Sequence, residues 1–495
     1  MKLPVSLHVV LAVAGSWGLS RPVRAESPPP PPSDAATPLV EIYGTLVPFV
    51  EYGSTFGASR PGTMGATQVT AYSGARAPAR FVLDMGTSNL GFRGGVDITD
   101  DVAVIWQVES GVMADGTPIA NTIASRNSQV GVAGKWGTLF AGSWDTPFKW
   151  ATLSTVNPLR AGYISDYNGL LSGPGFGIAT VVTQPGRVNA AADASFERRQ
   201  GNSLQYWSPT YEGVSARLAY SLDEGRTPST AMAPSIDPSI FSASLAYDKG
   251  PVKLRYAFEA HFDYFGMSQQ GGSPGATNTN SSSTDFGHRL VASYTHAQPG
   301  FDTRVVGVFE FLSYKNDDTT SPTAVSEHSR AAYYGLVDQT LFGKNHVWLG
   351  FGQAADGSCA LVGGGACSTN GLGASMGVLG YVYRFSKDMD FYAAGFRITN
   401  KASASYNTFT PLGGPAAPGS DVQGLGVGLV YQFSATIARG SHRVRHPTPA
   451  PPPAAPVPTP APDVTPGPAP AADLPPTPAT TPAPPPTPAP PPPQP

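Results

Sequence analysis

From Val252 to Asp263, charged and titratable residues fall on alternate positions: Lys253, Arg255, Glu259, His261 and Asp263. Val252, Leu254, Tyr256, Phe258, Ala260 and Phe262 fill the places between them. In a strand, successive side chains point to opposite faces. One face of this ribbon is therefore charged and the other almost wholly apolar. Spacing of this kind lines a wetted wall, and a row of fixed charges on such a wall biases which ions or charged solutes pass it. Ser215, Arg217 and Ser221 oppose Val214, Ala216, Leu218, Tyr220 and Leu222 in the same manner, and Arg397 opposes Tyr392, Ala394, Phe396 and Ile398. With Arg93, Arg304 and Arg384, these make a basic set of Arg93, Arg217, Lys253, Arg255, Arg304, Arg384 and Arg397.

Catalytic chemistry finds little footing. The eight histidines are scattered, with His261, His288, His296 and His346 on strand-like stretches. No Gly-x-Ser-x-Gly elbow with a plausible partner occurs, and no His-Glu-x-x-His. No cofactor is implied. Cys359 and Cys367 lie close together in a Gly-rich stretch, which favours a local disulfide in an exported chain. No nearby His or third Cys completes a metal-ligand set.

The elements that position these residues are strands. A net charge of −3 speaks against nucleic acid as a partner, and only 13% of the 495 residues are charged. Outside the extreme N-terminus no apolar run of about 18 residues exists, so no helix is expected to span a bilayer. A mean hydropathy of −0.11 suits a membrane barrel, whose strands spend half their residues on a wet lumen. Lys2, the apolar Val5 to Leu19, and the small residues around Val23-Arg24-Ala25 read as a signal peptide over 1–25. Residues 26–38 are Pro-rich, 39–433 are strand-like, and 434–495 begin with Arg439, His442, Arg443, Arg445 and His446. A Pro/Ala/Thr tract follows. It cannot form a packed core and favours extended polyproline II, so it is expected to be a disordered tail.

Alternation and β-branched or aromatic content mark roughly 16 strands in the middle zone. Short turns at 99–101, 135–137, 208–212, 248–250, 297–300, 343–344 and 386–388 alternate with long connections, the longest at 145–201. An up-and-down barrel of an outer membrane has this regular short/long alternation, and a Greek-key sandwich does not. In 422–433, Leu425, Val427, Leu429, Tyr431 and Phe433 share one face while glycines dominate the other. Trp136, Tyr206, Tyr211, Tyr294, Tyr383, Phe385, Tyr392, Tyr431 and Phe433 gather beside the short turns, where an interfacial aromatic girdle would lie.

Several stretches resemble the Gram-negative general (trimeric) outer-membrane porin family. Val40-Glu41-Ile42-Tyr43-Gly44 is similar to its opening strand. Leu90-Gly91-Phe92-Arg93-Gly94 and Trp106-Gln107-Val108-Glu109-Ser110-Gly111 are similar to its second hairpin. Ser125 to Gly134, Trp136-Gly137-Thr138, Gly142 to Pro147 and Asn202 to Pro209 follow in the family's order. The likeness covers about 39–433.

The resemblance implies an all-β transmembrane antiparallel barrel of about 16 strands whose third long loop, here 145–201, folds inward as a constriction. It implies loop acids Asp145 and Asp166 facing wall positions Arg93, Gln107, Glu109 and Arg126. Asn89 and Ser143 stand where family members often carry wall arginines, which weakens the basic half of that field. Tyr431 and Phe433 match the terminal aromatic signal read during barrel assembly, although about sixty residues follow it here.

The expected function is an outer-membrane channel for passive diffusion of small hydrophilic solutes and ions. The expected assembly is a homotrimer in outer-membrane lipid with periplasmic termini. A second reading makes the barrel structural, tethering the membrane to peptidoglycan through 434–495. A third, a sugar-specific channel, would need an aromatic slide. Trp207 and Trp348 are candidates to face in, whereas Trp106 is expected to point outward.

Overall fold

The computed structural model describes residues 38–439, apart from 58–62, 65–66, 69–78, 114–122, 154, 162–163, 165, 176–193, 223–236, 265, 267–279, 319–321, 323–324 and 409–417. The expected signal peptide, the segment before Pro38 and the chain beyond Arg439 lie outside the described residues.

The described chain builds a closed antiparallel barrel. Its first wall strand, β1, runs in two pieces, Pro38–Leu46 and Phe49–Phe56, and so does β2, Arg80–Asp84 and Asn89–Asp97. Then follow β3 (Val102–Gly111), β4 (Ser128–Gly134), β5 (Gly137–Asp145), β6 (Arg199–Trp207), β7 (Val214–Leu222) and β8 (Ser239–Lys249). The circuit continues with β9 (Val252–Phe262), β10 (Asn280–Gln298), β11 (Phe301–Asp318), β12 (Val325–Leu341) and β13 (Asn345–Ala354). It ends with β14 (Ala374–Arg384), β15 (Met389–Asn400) and β16 (Asp421–Arg439). Each strand pairs with its neighbour in sequence, and β1 closes the ring on β16, from Pro38 opposite Arg439 to Phe56 opposite Asp421.

The break in β1 has a local cause. Pro48 has no N–H to give the ladder, and the chain steps aside at Val47. The Val47 N–H then donates to Ser88 Oγ at 2.8 Å, in the matching break of β2, and Leu429 N–H reaches Pro48 O at 3.0 Å. The short turns are tight. Gly213, Gly250, Gly300 and Gly343 close four of them with φ of +89°, +61°, +82° and +70°, a region other residues seldom enter.

Three strands outrun the sequence reading. β10, β11 and β12 are 19, 18 and 17 residues long, well beyond the roughly 9–11 that cross a bilayer. Asn316, Asp317 and Asp318 are the last residues of β11. A small strand, Ser358–Leu361, pairs with the start of β12, and Cys359 is bonded to Cys367 with Cα atoms 5.7 Å apart. β16 also extends past the expected end of the barrel. Ser434 to Arg439 still pair with β1, so Phe433 lies within the last strand rather than at its terminus.

Alternate residues of most strands are exposed and apolar: Leu204, Leu218, Leu245, Leu254, Phe309, Leu349, Phe351, Leu379, Leu425, Val427 and Leu429 among them. Trp136, Tyr211, Tyr294, Phe385 and Tyr431 are exposed near the short turns, as a girdle requires. β15 departs from its expected orientation. Tyr392, Ala394, Phe396 and Ile398 are buried on the inner face, while Arg397 is on the outer side, 56% exposed and bonded to Asp421 at 2.7 Å. Arg397 therefore does not line the interior. The reason is packing: an apolar stretch of the third loop covers that inner face, in a cluster of Ile164, Tyr167, Leu170 and Leu171 with Tyr392, Phe396 and Ile398.

The outer face of this barrel must tolerate no charge at mid-height. Leu349→Arg, at a residue 63% exposed in the middle of β13, should cost about 2–4 kcal/mol of folding free energy in lipid vesicles. Denaturant titration in vesicles checks this, and an unchanged midpoint would contradict a lipid-covered wall.

Candidate functional site

The described residues of the segment between β5 and β6 pack against the inner wall of the barrel. Thr146 and Pro147 open helix α1 (Pro147–Leu153): proline suits the first helical position, and Thr146 Oγ1 accepts from Lys149 N–H at 3.4 Å. The Phe148 N–H donates to Ser242 Oγ of β8 at 3.1 Å, and the Phe148 ring lies fully buried with Phe196, Ala257, Leu312 and Tyr314. A short 3-10 turn, Tyr167–Gly169, is capped by Asp166, whose Oδ1 accepts from Asn168 N–H at 3.4 Å. These residues touch the inward faces of several wall strands, so the loop occupies the interior.

A buried ionic latch fixes it. Glu310 of β11 sits between two arginines, Arg289 of β10 and Arg330 of β12, each fully buried. Arg289 Nε meets one carboxylate oxygen at 3.0 Å and Arg330 Nη2 the other at 3.0 Å. The loop supplies the remaining partners. Ser172 N–H donates to Glu310 at 2.9 Å, Arg289 donates to Thr152 Oγ1 at 2.8 Å and to Ser172 Oγ at 2.5 Å, and Arg330 Nε reaches Gly173 O at 2.6 Å. Glu197 adds a second carboxylate 3.5 Å from Arg289. Buried charges persist where each is both paired and hydrogen-bonded, and this cluster meets that condition only with the loop in place.

The residues expected to line a constriction are placed as follows. Arg93 points inward but forks to Glu41, at 2.8 and 3.2 Å, with its guanidinium over the Tyr43 ring. Arg126 donates to Glu109 at 2.6 Å, and Tyr43 Oη donates to the same carboxylate at 2.9 Å. Gln107 donates to Asn127 O at 2.9 Å. Asp145 closes β5 rather than sitting on the loop, and it binds Lys149 at 2.9 Å, Arg199 at 3.3 Å and Asn127 at 3.0 Å. Asp166 is buried on the loop beside Glu197. The expected opposition of loop acids to Arg93 and Arg126 is therefore not formed. Arg93 is held instead by Glu41, and Arg126 by Glu109. Arg217, Lys253, Arg255 and Arg384 all lie on inward positions near the short turns.

The latch residues Arg289, Glu310 and Arg330 were not singled out from sequence. A signal existed, since Asp285, Arg289, Glu310 and Arg330 alternate with apolar neighbours as 252–263 do. Their pairing joins strands and a loop up to 157 positions apart in sequence, as Arg289 to Thr152 and Arg330 to Gly173 show. Trp207 and Trp348 do face inward, and Trp348 lies flat across Gly380, where any Cβ would collide with the indole.

Burial pushes the Asp166 carboxyl up to about 7, with Glu197 nearby acting in the same direction, and burial raises Glu197 too. An acid whose value is raised in the docked loop favours docking at low pH. That advantage is lost as pH climbs from about 4, where a free carboxyl ionises, through about 7. The amides of Tyr167–Ser172 should thus exchange faster at pH 8 than at pH 5, and Asp166→Asn should make this dependence shallower. Glu310→Gln removes the charge shared by two buried arginines, a loss of about 3–5 kcal/mol, and should speed exchange of these amides more than about 100-fold. Hydrogen exchange read by mass spectrometry checks both, and unchanged protection in Glu310→Gln would mean the latch does not hold the loop.

Comparison with known proteins agrees with this architecture. The Gram-negative porin family model matches residues 10–403. The major outer membrane protein P.IB of Neisseria gonorrhoeae is 28% identical over 141 residues, covering 28% of this chain and 33% of that one. P.IA of Neisseria meningitidis serogroup B is 32% identical over 115 residues, covering 22% of this chain and 29% of that one. The matched part thus spans about a third of these relatives' length. In fold, the anion-selective porin from Comamonas acidovorans superposes with a TM-score of 0.54 and 18% identity, over 80% of this chain and 99% of that one. With a closed barrel of sixteen wall strands, a loop folded within it and a family match across most of its length, the chain belongs to the Gram-negative porin family.

Proposed function

We propose that this protein is a water-filled channel of a Gram-negative outer membrane, through which small hydrophilic solutes and ions diffuse passively down their gradients. The observation that carries the reading is the two-sidedness of the closed wall. Its exposed face is apolar and girdled by aromatics, its inner face carries charge, and a latched loop narrows the interior. The family and the fold support a channel. Selection would work by sieving past residues 146–198 and by the field of lumen charges, with Arg93, Gln107, Glu109, Arg126 and Asp145 on or beside β2 to β5 and Arg217, Lys253, Arg255 and Arg384 near the short turns of β7, β9 and β14. Asp166, buried on the loop, supports the constriction rather than lining it.

In this reading three copies form the working assembly, as the family suggests. The two ends of the wall, Pro38 and Arg439, lie side by side at the rim that bears the short turns, and we assign that rim to the periplasm. The proline-rich chain beyond Arg439 would then leave on the peptidoglycan side, where a tethering role is secondary to the channel.

Purified full-length protein, folded in detergent and added to planar bilayers in concentrated KCl, should give stepwise conductance, and liposomes containing it should swell in small sugars. A correctly folded oligomer with no conductance and no swelling would overturn the proposal.

A further inference from the structure

Near the short turns the inner wall carries cations that the constriction does not explain. Arg217 of β7 is 8% exposed, yet it makes no hydrogen bond or ion pair among the described residues. Its guanidinium is clamped between two indoles, 3.7 Å from the centroid of Trp150 on the loop helix and 4.0 Å from that of Trp207 on β6. The charged group acting on it is a second cation, Arg255. Arg255 Cζ lies 5.0 Å from the Trp150 centroid, on the same indole; its two Nη groups fork to Asp248 at 2.8 and 2.7 Å, and its Nε is buried without a partner. Lys253 stands two residues nearer the turn and forms no ion pair among the described residues; Asp248, its cross-strand neighbour, acts on it first, and Arg255 and Arg304 after it. Further round, Arg304 pairs with Asp338 at 3.0 Å, and Arg384, whose Nε is buried and unpartnered, feels Asp390 first, then Arg160, Asp338 and Arg304.

A buried guanidinium without a carboxylate is expensive, and stacking on indoles offsets only part of its lost hydration. The clamp also fixes its plane, so the side chain is unable to swing towards water. Its N–H edge remains in contact with solvent, since none of its nitrogens is among the fully enclosed unpartnered atoms. A planar fork with neighbouring cations matches an oxyanion of more than one charge, which accepts several charge-assisted hydrogen bonds at once.

We propose that Arg217, held between Trp150 and Trp207, forms with Arg255 and Lys253 a binding station for multivalent oxyanions of the phosphate class, the first of a basic series that continues through Arg304 to Arg384 around the short-turn end of the lumen. The station makes the passage favour anions and lets phosphate compete with chloride. This rests on the channel reading for its transport consequence, but not for binding itself.

The test uses full-length protein and inorganic phosphate. In detergent, phosphate should change tryptophan fluorescence saturably, because two indoles enclose the site, and Arg217→Gln should raise the half-saturating concentration at least about tenfold. Lys253→Gln, at a residue not packed in the clamp, should raise it by a smaller factor with the fold unperturbed. In planar bilayers, the reversal potential under a KCl gradient should show chloride favoured, phosphate should reduce the chloride current, and both effects should weaken in each variant. A cation-selective channel, or phosphate responses that neither substitution alters, would overturn the station while leaving the channel intact. Saturable, Arg217-dependent fluorescence in a folded protein that conducts nothing would support the station and overturn the channel.

Discussion

A strand that crosses hydrocarbon has no water to satisfy its N–H and C=O groups, so every one of them must find another strand. This requirement shapes the chain more than any side-chain contact. It forces the first strand onto the last, Pro38–Phe56 against Asp421–Arg439, and it tolerates the interruption at Pro48 only because Ser88 and Leu429 take up the orphaned groups. Once the ring is closed, the side chains fall into two classes by parity alone. One set meets lipid and the other meets whatever fills the lumen.

What fills the lumen here is in part the chain itself. The segment after Asp145 brings Phe148, Tyr167, Leu170 and Leu171 against the inner wall, and the wall answers with apolar side chains such as Met376, Val378, Phe396 and Ile398. Apolar burial alone is non-directional and would let such a loop slide. Glu310, Arg289 and Arg330 add direction, because buried ionised groups accept only a narrow set of geometries. The loop thus has a greasy seat and a charged latch, on neighbouring parts of the same wall.

The remaining charges are organised by locality. On the wall of β1 to β6, bases and acids neutralise one another within a few ångströms, as Arg93 with Glu41 and Arg126 with Glu109 show. Asp145 is likewise absorbed by Lys149 and Arg199. Elsewhere Arg217 has only a second cation, Arg255, acting on it, while Lys253 and Arg384 stand near Asp248 and Asp390 without forming an ion pair among the described residues. A transverse field at the loop and a basic belt near the turns are different electrostatic designs, and the proposed station is of the second kind. The absence of wall arginines at Asn89 and Ser143 fits that arrangement.

The sequence by itself determined the barrel. Period-two alternation, the regular exchange of short and long connections, and the terminal Leu425 to Phe433 ribbon specify sixteen strands and most of their lipid faces, because side-chain direction in a strand depends on neighbouring residues alone. The tertiary structure decided the sign of one face and the partner of each charge. In β15 both faces are apolar enough to suit lipid, and only the loop, arriving from more than two hundred residues upstream, selects Tyr392, Phe396 and Ile398 for the inside and sends Arg397 out. The latch of Arg289 with Thr152 and the clamp of Arg217 by Trp150 are contacts between distant stretches of chain. Their geometry is set by ring closure and loop docking, and a local pattern carries no record of either.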